Sequence, residues 1–317
     1  MNGAPTAIGV DAGGTKTNAL RVTADGAVLA RASRPTPADD VGSIFATIVE
    51  AVREVLDDPV RAIGIGAAGM VWSDTGVLVS APNLAWRNAP LVAQLQDAFG
   101  LPVTADNDCT AAAWAEHRLG AGLGVDHLLY IGVGTGLGGG FVFGDRVYRG
   151  AHGFAAEIGH VVVEPDGALC GCGNRGCWET VASGTTITRD GRIAITRHAH
   201  SMIGELADGD EERVTGALVT EAARRGDATA RGILAEVGHR LGVGIAGLVN
   251  VLDPQVVVVG GGAAEAGDLL LEPARAAYRG TVEGRTDRPD VPILAGSLGP
   301  DAAAIGAALL ALQDASA

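Results

Sequence analysis

The first third of the chain alternates between short β-type apolar runs and segments with a helical period. Runs bounded by glycine and polar residues predict strands at 6–11, 17–22, 27–32, 61–69 and 101–105. Helices are predicted within 38–56, 90–99 and 109–119. The first of these has one apolar face, formed by Val41, Ile44, Ile48, Val52 and Val55. This order of elements predicts a mixed sheet covered by helices.

A similar opening recurs in the middle of the chain. A strand at 127–133, a Gly-Thr-Gly turn at 134–136 and a strand at 138–143 repeat the strand–turn–strand pattern of residues 6–22. We interpret the two as hairpins of related halves, with a chance likeness as the alternative. The other predicted elements are a long helix at 232–251, a strand at 255–259 and a final helix within 301–312. Residues 184–215 show no clean period, so no element is predicted there.

Length and charge narrow the classes of function. The 317 residues suggest about two domains, with a core large enough to fold without disulfides or metal. Lys and Arg total 23 against 37 Asp and Glu, and the net charge of −14 argues against general nucleic-acid binding and docking on an anionic membrane. No apolar run approaches the roughly 20 residues needed to cross a bilayer. The first six residues lack the features of a signal peptide, so a cytoplasmic location is expected.

The 48 glycines cluster beside β-type runs. Glycine has no side chain, so the backbone at such clusters can turn sharply or approach a ligand closely. In the first cluster, Asp11 at a strand end could hold Mg²⁺, usually through water, and the Thr15 hydroxyl could donate to a phosphate. Two such hairpins would clamp a polyphosphate, and an ordinary tight hairpin is the alternative for each. Neither hairpin matches the P-loop or the dinucleotide fingerprint. The candidate nucleotide-binding residues are Asp11, Gly13, Gly14, Thr15, Lys16, Gly134, Thr135, Gly136, Gly138, Gly139, Gly260, Gly261 and Gly262.

The segment Asp106-Asn107-Asp108 ends a predicted strand and opens a predicted helix. In one interpretation Asp108 caps the helix that begins at Cys109. In the other, its carboxylate takes a proton from a sugar hydroxyl as that oxygen attacks phosphorus. The two roles are compatible.

The strongest chemical signal is His160 followed by three clustered cysteines, Cys170, Cys172 and Cys177. Three thiolates and one imidazole make a closed tetrahedral zinc site, and reactive or merely buried cysteines are the alternative. Four protein ligands leave no position for water, so this zinc would be structural. Glu157 and Glu179 would be anchored beside the metal, and the apolar flanks of Glu157 favour an inward role such as accepting sugar hydroxyl hydrogen bonds.

Together these motifs resemble the repressor–open-reading-frame–kinase (ROK) family of sugar kinases, within the actin/hexokinase-like superfamily. The likeness spans nearly the whole chain in order. It rests on the segments 11–16, 107–108, 134–140, 157–160 and 170–179. The resemblance implies an α/β, actin/hexokinase-like (ribonuclease H-like) fold of two domains with an interdomain cleft. Residues 1–117, completed by 300–317, would form a small N-terminal domain, and residues 118–299 a large domain carrying the zinc site.

The resemblance also implies the chemistry. The chain would transfer phosphate from Mg²⁺-bound ATP to the 6-hydroxyl of a hexose, with Asp108 as the general base and the two hairpins holding the phosphates. His160 would touch both zinc and sugar through its two ring nitrogens. The implied sugar-binding residues are Asn83, Asn107, Asp108, Glu157, His160 and Glu179, and the implied zinc ligands are His160, Cys170, Cys172 and Cys177.

Glucose is the expected substrate, because the cysteine motif resembles that of bacterial ATP-dependent glucokinases. N-acetylglucosamine, N-acetylmannosamine, mannose and fructose kinases share the framework and are the alternatives. The family also contains sugar-responsive repressors with an N-terminal helix-turn-helix domain, for which this sequence shows no counterpart. A sugar-binding protein without turnover would have lost Asp108, Thr15 or Thr135, and all three are present. A homodimer or homotetramer is expected from the family.

Two departures from the family pattern bear on the choice of sugar. Ala156 precedes Glu157 where the family often has glycine, and the stretch 66–69 lacks a proline that the family tends to show.

Overall fold

A computed structural model describes residues 4–37, 39–57, 59–81, 85–197 and 201–316. The strands are β1 (Thr6–Ala12), β2 (Lys16–Thr23), β3 (Val28–Pro35), β4 (Val60–Ala67), β5 (Met70–Val71), β6 (Leu78–Ser80), β7 (Arg87–Ala89), β8 (Val103–Asn107), β9 (His127–Val133), β10 (Leu137–Phe143), β11 (Val256–Gly260) and β12 (Ile293–Ala295). The helices are α1 (Val41–Val55), α2 (Leu91–Phe99), α3 (Asp108–Leu119), α4 (Glu179–Ala182), α5 (Gly184–Arg197), α6 (Met202–Leu206), α7 (Gly216–Arg224), α8 (Ala228–Leu252), α9 (Asp268–Thr281) and α10 (Ala302–Asp314).

The chain divides into two compact units. The described residues of 1–130, 139–156 and 297–317 form unit 1, and those of 131–138 and 157–296 form unit 2. Residues 118–130 and 139–156, which the family resemblance implies in the second domain, therefore pack with unit 1. Gly140 shows how close this packing is, because a Cβ there would lie 2.5 Å from the carbonyl oxygen of Cys109.

Unit 1 is built on a five-stranded mixed sheet in the order β3-β2-β1-β4-β8. The predicted hairpin of β1 and β2 is confirmed, with Asp11 opposite Asn18. Strands β1, β4 and β8 are parallel, and their register aligns Asp11, Gly66 and Asp106. Because parallel strands end at one edge of a sheet, Asp11 and the segment leading to Asp108 meet at the same edge.

Helices cover this sheet as the sequence predicts. Helix α1 begins after Asp40, whose carboxylate accepts the N–H of Ser43 at 2.6 Å, and it buries Ile44 and Ile48 against the core. Helix α10 lies directly on the strands through glycines: a Cβ at Gly9 would be 1.7 Å from the carbonyl oxygen of Ala304. Glycine in these strands is therefore explained by close packing of a helix.

A four-stranded sheet has the order β10-β9-β11-β12. Strands β11 and β12 belong to unit 2, and strands β9 and β10 each have residues in both units. The long helix α8 packs closely on α9, because a Cβ at Gly242 would lie 2.1 Å from the carbonyl oxygen of Ala274. Among the described helices α8 alone is long and apolar enough to cross a membrane. It buries Leu234, Leu241 and Ile245, the behaviour of a core helix.

Several elements were absent from the sequence prediction. The segment 184–215 contains α5 and α6, and α5 buries Thr186, Ile187, Gly191 and Ala194 while Ile193 is 40% exposed. A helix that buries one isoleucine among small and polar residues, and exposes another isoleucine, gives only a weak apolar period. The sheet of β5, β6 and β7 was missed because its strands have only two or three residues.

Candidate active site

The carboxyl edge of the sheet in unit 1 carries Asp11. The turn after β1 is closed by the N–H of Gly13, which donates to the carbonyl of Lys16 at 3.1 Å. Burial, followed by the charge of Asp108, raises the pKa of Asp11 to about 7, and a hydrogen bond with Asn18 opposes this rise. Asn18 was missed from the sequence, although the hairpin pairing places it opposite Asp11. A nearby cation would therefore stabilise the ionised form of the Asp11 carboxylate.

Asn107 and Asp108 mark the point where β8 becomes α3. Helix α3 begins at Asp108, and its N-cap is Asn107, whose side-chain oxygen accepts the N–H groups of Cys109 and Thr110 at 2.9 and 3.1 Å. The interpretation of Asp108 as the cap of a helix starting at Cys109 is therefore wrong by one residue, since Asn107 provides the β-to-helix turn. The amide nitrogen of Asn107 donates to the carbonyl of Gly69 at 3.2 Å.

Asp108 lies in the first turn of α3 with its carboxylate 2.8 Å from the N–H of Cys109. Burial raises its pKa, and the hydrogen bond from Cys109 opposes the rise. A carboxylate with a raised pKa is a stronger base than an exposed one. The first turn of a helix favours its anionic form. The site therefore suits proton abstraction from a hydroxyl.

Asp106, two residues before Asp108, forms an ion pair that sequence reasoning missed. Its carboxylate accepts a hydrogen bond from Nε of Arg149 at 2.6 Å, and the Asp106 side chain is only 10% exposed. Arg149 is 43 positions away, and no motif or period marks it. The pair fixes the end of β8 within unit 1.

In unit 2 the glycine turns lie at the ends of neighbouring strands. The hairpin of Gly134, Thr135 and Gly136 is closed by the N–H of Gly134, which donates to the carbonyl of Gly136 at 3.0 Å. Gly261, after β11, has a φ of +84°, and a Cβ there would lie 2.7 Å from the carbonyl oxygen of Val133. The second and third predicted glycine turns are therefore neighbours within unit 2.

The predicted metal ligands come together. The ligand atoms of His160, Cys170, Cys172 and Cys177 all lie within 4.8 Å of one another. The Sγ atoms of Cys172 and Cys177 are 3.6 Å apart, and Nδ1 of His160 is 3.6 Å from Sγ of Cys170. Zinc bonds of about 2.3 Å to sulfur and 2.0 Å to nitrogen give tetrahedral edges of roughly 3.8 Å between two sulfurs and 3.5 Å between sulfur and nitrogen. The four side chains therefore fit a zinc ion.

Backbone hydrogen bonds shape the loop that carries these cysteines. The N–H of Cys170 donates to the carbonyl of Asn174 at 2.8 Å, and that of Gly173 donates to Cys170 at 3.0 Å. Gly176 has a φ of +68°, and a Cβ there would collide with the carbonyl of Glu164. Beyond the loop, the indole of Trp178 donates to the carbonyl of Arg240 at 3.1 Å and holds the segment against α8.

Two glutamates flank the His/Cys cluster, as the sequence predicts. Oε1 of Glu179 lies 2.8 Å from Sγ of Cys170 and 3.7 Å from Nδ1 of His160. On the other side of the ring, Nε2 of His160 lies 3.9 Å from Oε2 of Glu157. The imidazole can thus give one nitrogen to the metal and present the other beside Glu157. Asn83, a further predicted sugar contact, lies outside the described residues.

A sequence profile of the ROK family matches residues 7–314. The chain belongs to the ROK family.

This ROK chain is similar to proteins of known activity and structure. It is 40% identical over 310 residues to a glucokinase of Streptomyces coelicolor, covering 96% of this chain and 97% of that one. It matches the crystal structure of a ROK family glucokinase from Streptomyces griseus in complex with glucose and AMPPNP, with a TM-score of 0.92 and 41% identity, over 97% of this chain and 99% of that one. An N-acetylmannosamine kinase of Escherichia coli is 33% identical over 309 residues, covering 96% and 98% of the two chains. The actin/hexokinase-like α/β fold expected from the sequence is confirmed.

The departure at Ala156 has a structural consequence in the ROK chain. Ala156 adopts a φ of +69°, the left-handed region in which a residue with a Cβ is strained. The glycine often found in the family at this position would adopt it freely. This ROK chain therefore carries strain directly before Glu157.

Proposed function

We propose that the chain is an ATP-dependent glucokinase, which transfers the γ-phosphoryl group of ATP to the 6-hydroxyl of glucose. The observation that carries the proposal is the near-complete structural match to a glucokinase bound to glucose and AMPPNP. The identity to a curated glucokinase over almost the whole of both chains supports it. Retention of Asp108 at the start of α3 supports an active kinase.

In this proposal Asp108 is the general base. As the sugar oxygen bonds to phosphorus and the bond from phosphorus to the ADP oxygen breaks, the carboxylate of Asp108 accepts the hydroxyl proton. Burial and the resulting raised pKa make it a better acceptor, and Cys109 holds the carboxylate in place through its N–H.

Phosphoryl transfer depends on alignment and charge neutralisation more than on covalent chemistry. The residues proposed to hold the phosphates are those of the two hairpins, 11–16 and 134–139, with Gly260–Gly262 beside the rest of the nucleotide. Asp11 is the residue that would hold Mg²⁺, usually through water. That ion would supply positive charge against the triphosphate.

The sugar hydroxyls are assigned to Asn83, Asn107, Glu157, His160 and Glu179. Most of the hydrogen-bonding capacity of the Asn107 side chain is already used within the protein. Its oxygen already accepts two backbone N–H groups and one of its amide hydrogens is used by Gly69, so Asn107 has one N–H left to donate. The carboxylates of Glu157 and Glu179 accept hydrogen bonds, and Nε2 of His160 completes the polar set.

Zinc would be structural, because all four positions would be filled by protein. His160, Cys170, Cys172 and Cys177 are the proposed ligands, and the ion would fix the orientation of His160 and of the loop leading to Glu179. A cytoplasmic location and a homodimeric or homotetrameric state remain predictions.

N-acetylmannosamine phosphorylation is the second candidate, favoured by the relative in Escherichia coli. The two are distinguished by kcat/KM for glucose, mannose, fructose, N-acetylglucosamine and N-acetylmannosamine, measured by ADP release with Mg·ATP and zinc-loaded protein. We expect the highest value for glucose. A higher value for an N-acetylhexosamine would replace the proposed substrate, and absence of turnover with every sugar would overturn the kinase proposal.

A further inference from the structure

The start of helix α5 is bonded to the carbonyl groups of the second glycine hairpin. The N–H of Gly184 donates to the carbonyl of Gly134 at 2.8 Å. The carbonyl of Thr135 accepts two hydrogen bonds from Thr185, one from the N–H at 3.3 Å and one from the hydroxyl at 2.6 Å. All of these residues belong to unit 2. Two successive carbonyls of the hairpin therefore point at one helix end.

Peptide planarity turns this observation into a statement about the N–H groups. The carbonyl of Gly134 shares its peptide plane with the N–H of Thr135, and the carbonyl of Thr135 shares its plane with the N–H of Gly136. Because the two groups of a trans peptide point in opposite directions, both N–H groups are directed away from α5. Among the residues that the structure describes, no protein group accepts either of them. Successive backbone N–H groups of this kind form an anion-binding concavity.

The hairpin is closely packed at two of its glycines. A Cβ at Gly184 would lie 2.5 Å from the carbonyl oxygen of Gly134, and a Cβ at Gly136 would lie 2.6 Å from Oε2 of Glu179. The segment 179–185, which begins two residues after the zinc ligand Cys177, therefore contacts the hairpin at both Gly134 and Gly136.

From this geometry we infer that Thr185 is a positioning residue for the ATP phosphates. Its hydroxyl holds the Thr135 carbonyl towards α5 and so aims the N–H of Gly136 at the phosphate oxygens. Thr185 acts through the hairpin and touches no reacting atom. The inference rests on the proposed function, because it requires that this hairpin binds ATP. It adds Thr185, which lies outside the glycine motifs, to the residues that determine nucleotide affinity.

The test measures nucleotide and sugar binding separately, by calorimetry with AMPPNP and with glucose. Thr185→Val keeps the shape of the side chain and removes the hydroxyl, so we expect AMPPNP binding to weaken about three- to tenfold, the range for one hydrogen bond. Glucose affinity should stay within about twofold. Thr185→Ser should restore nucleotide affinity. The matched control is Thr196→Val on the same helix, whose hydroxyl donates to Ile193 at 2.8 Å, and it should change neither affinity.

A second variant tests the contact between the start of α5 and the hairpin independently of the Thr185 hydroxyl. Gly184→Ala would place a methyl group 2.5 Å from the carbonyl oxygen of Gly134, so the hairpin or the start of α5 must shift. A larger loss of AMPPNP affinity than of glucose affinity in this variant would support the inference. Unchanged AMPPNP affinity in Thr185→Val, or equal loss of both affinities, would overturn it. A wild-type protein that binds AMPPNP but phosphorylates no glucose would contradict the proposed substrate while leaving this comparison intact.

Discussion

Asn107 and Asp108 share one backbone donor, the N–H of Cys109, which lies 2.9 Å from the side-chain oxygen of Asn107 and 2.8 Å from a carboxylate oxygen of Asp108. Asn107 also accepts the N–H of Thr110 and is the cap of α3. Capping and proton abstraction are therefore assigned to adjacent residues. This division allows Asp108 to be changed without removing the cap.

Asp108→Asn should abolish proton abstraction and leave the fold in place. We expect kcat to fall by about 10²–10⁴-fold, the range for loss of a general base. Calorimetry should show glucose affinity within a few-fold of wild type. Thermal stability should be unchanged or higher, because a buried carboxylate with a raised pKa becomes neutral. Turnover within tenfold of wild type would remove Asp108 from the role of base.

Asp11→Asn should stabilise the protein at alkaline pH. The pKa of Asp11 is about 7 in the folded chain against 3.8 ordinarily, so the folded state holds this proton more tightly and loses stability as pH rises from about 4 to about 7. At pH 8 the variant should exceed wild type by up to ~4 kcal/mol in unfolding free energy. The difference should shrink below pH 7 and vanish near pH 4.

Denaturant titrations at several pH values measure this difference. Asp97→Asn, at an exposed position on α2, is the control for the substitution of Asp by Asn itself. A constant difference between Asp11→Asn and wild type across pH would contradict the environment described for Asp11.

Cys172→Ser should release zinc and weaken glucose binding together. Removing one of four ligands opens the metal site, and His160 and Glu179 then lose their fixed orientation. We expect less than one zinc per chain by elemental analysis and glucose affinity lowered by about tenfold or more. Cys109→Ser, outside the cluster, should keep its zinc. Loss of zinc with unchanged glucose affinity would separate the metal from the sugar site.

Ala156→Gly should stabilise the chain. Left-handed backbone costs a residue with a Cβ about 1 kcal/mol or more, and glycine removes this strain. Allowing for the greater freedom of glycine in the unfolded chain, we expect a net gain of roughly 0.5–1 kcal/mol in unfolding free energy. The neighbouring Ala155→Gly lacks a positive φ to relieve and should be destabilising. A loss of stability in Ala156→Gly equal to that of the control would be inconsistent with strain at this residue.

Much of the candidate site could be predicted because its chemistry is local in sequence. The four candidate zinc ligands fall within 18 residues in a pattern that few other functions require, and the structure brings all four together. The first hairpin could be predicted from its glycines, and its pairing even places Asn18 opposite Asp11. Both features depend on residues that are close in sequence, so their spacing alone predicts the local geometry.

The rest depends on contacts between distant residues. No sequence motif or period near Arg149 predicts its ion pair with Asp106. The link from Thr185 to Thr135 spans 50 positions and begins in a helix that buries Ile187 but otherwise only small or polar residues, so its apolar period is weak. The assignment of the helix cap differed by one residue, because both Asn107 and Asp108 are good capping residues and only the backbone conformation selects between them.

The most direct test of the central claim is identification of the product by ³¹P and ¹H NMR after incubation of zinc-loaded protein with glucose and Mg·ATP. The account predicts glucose 6-phosphate and ADP in equal amounts, with no comparable product from Asp108→Asn. Phosphate on another oxygen, ADP released without a phosphorylated sugar, or no product at all would contradict it.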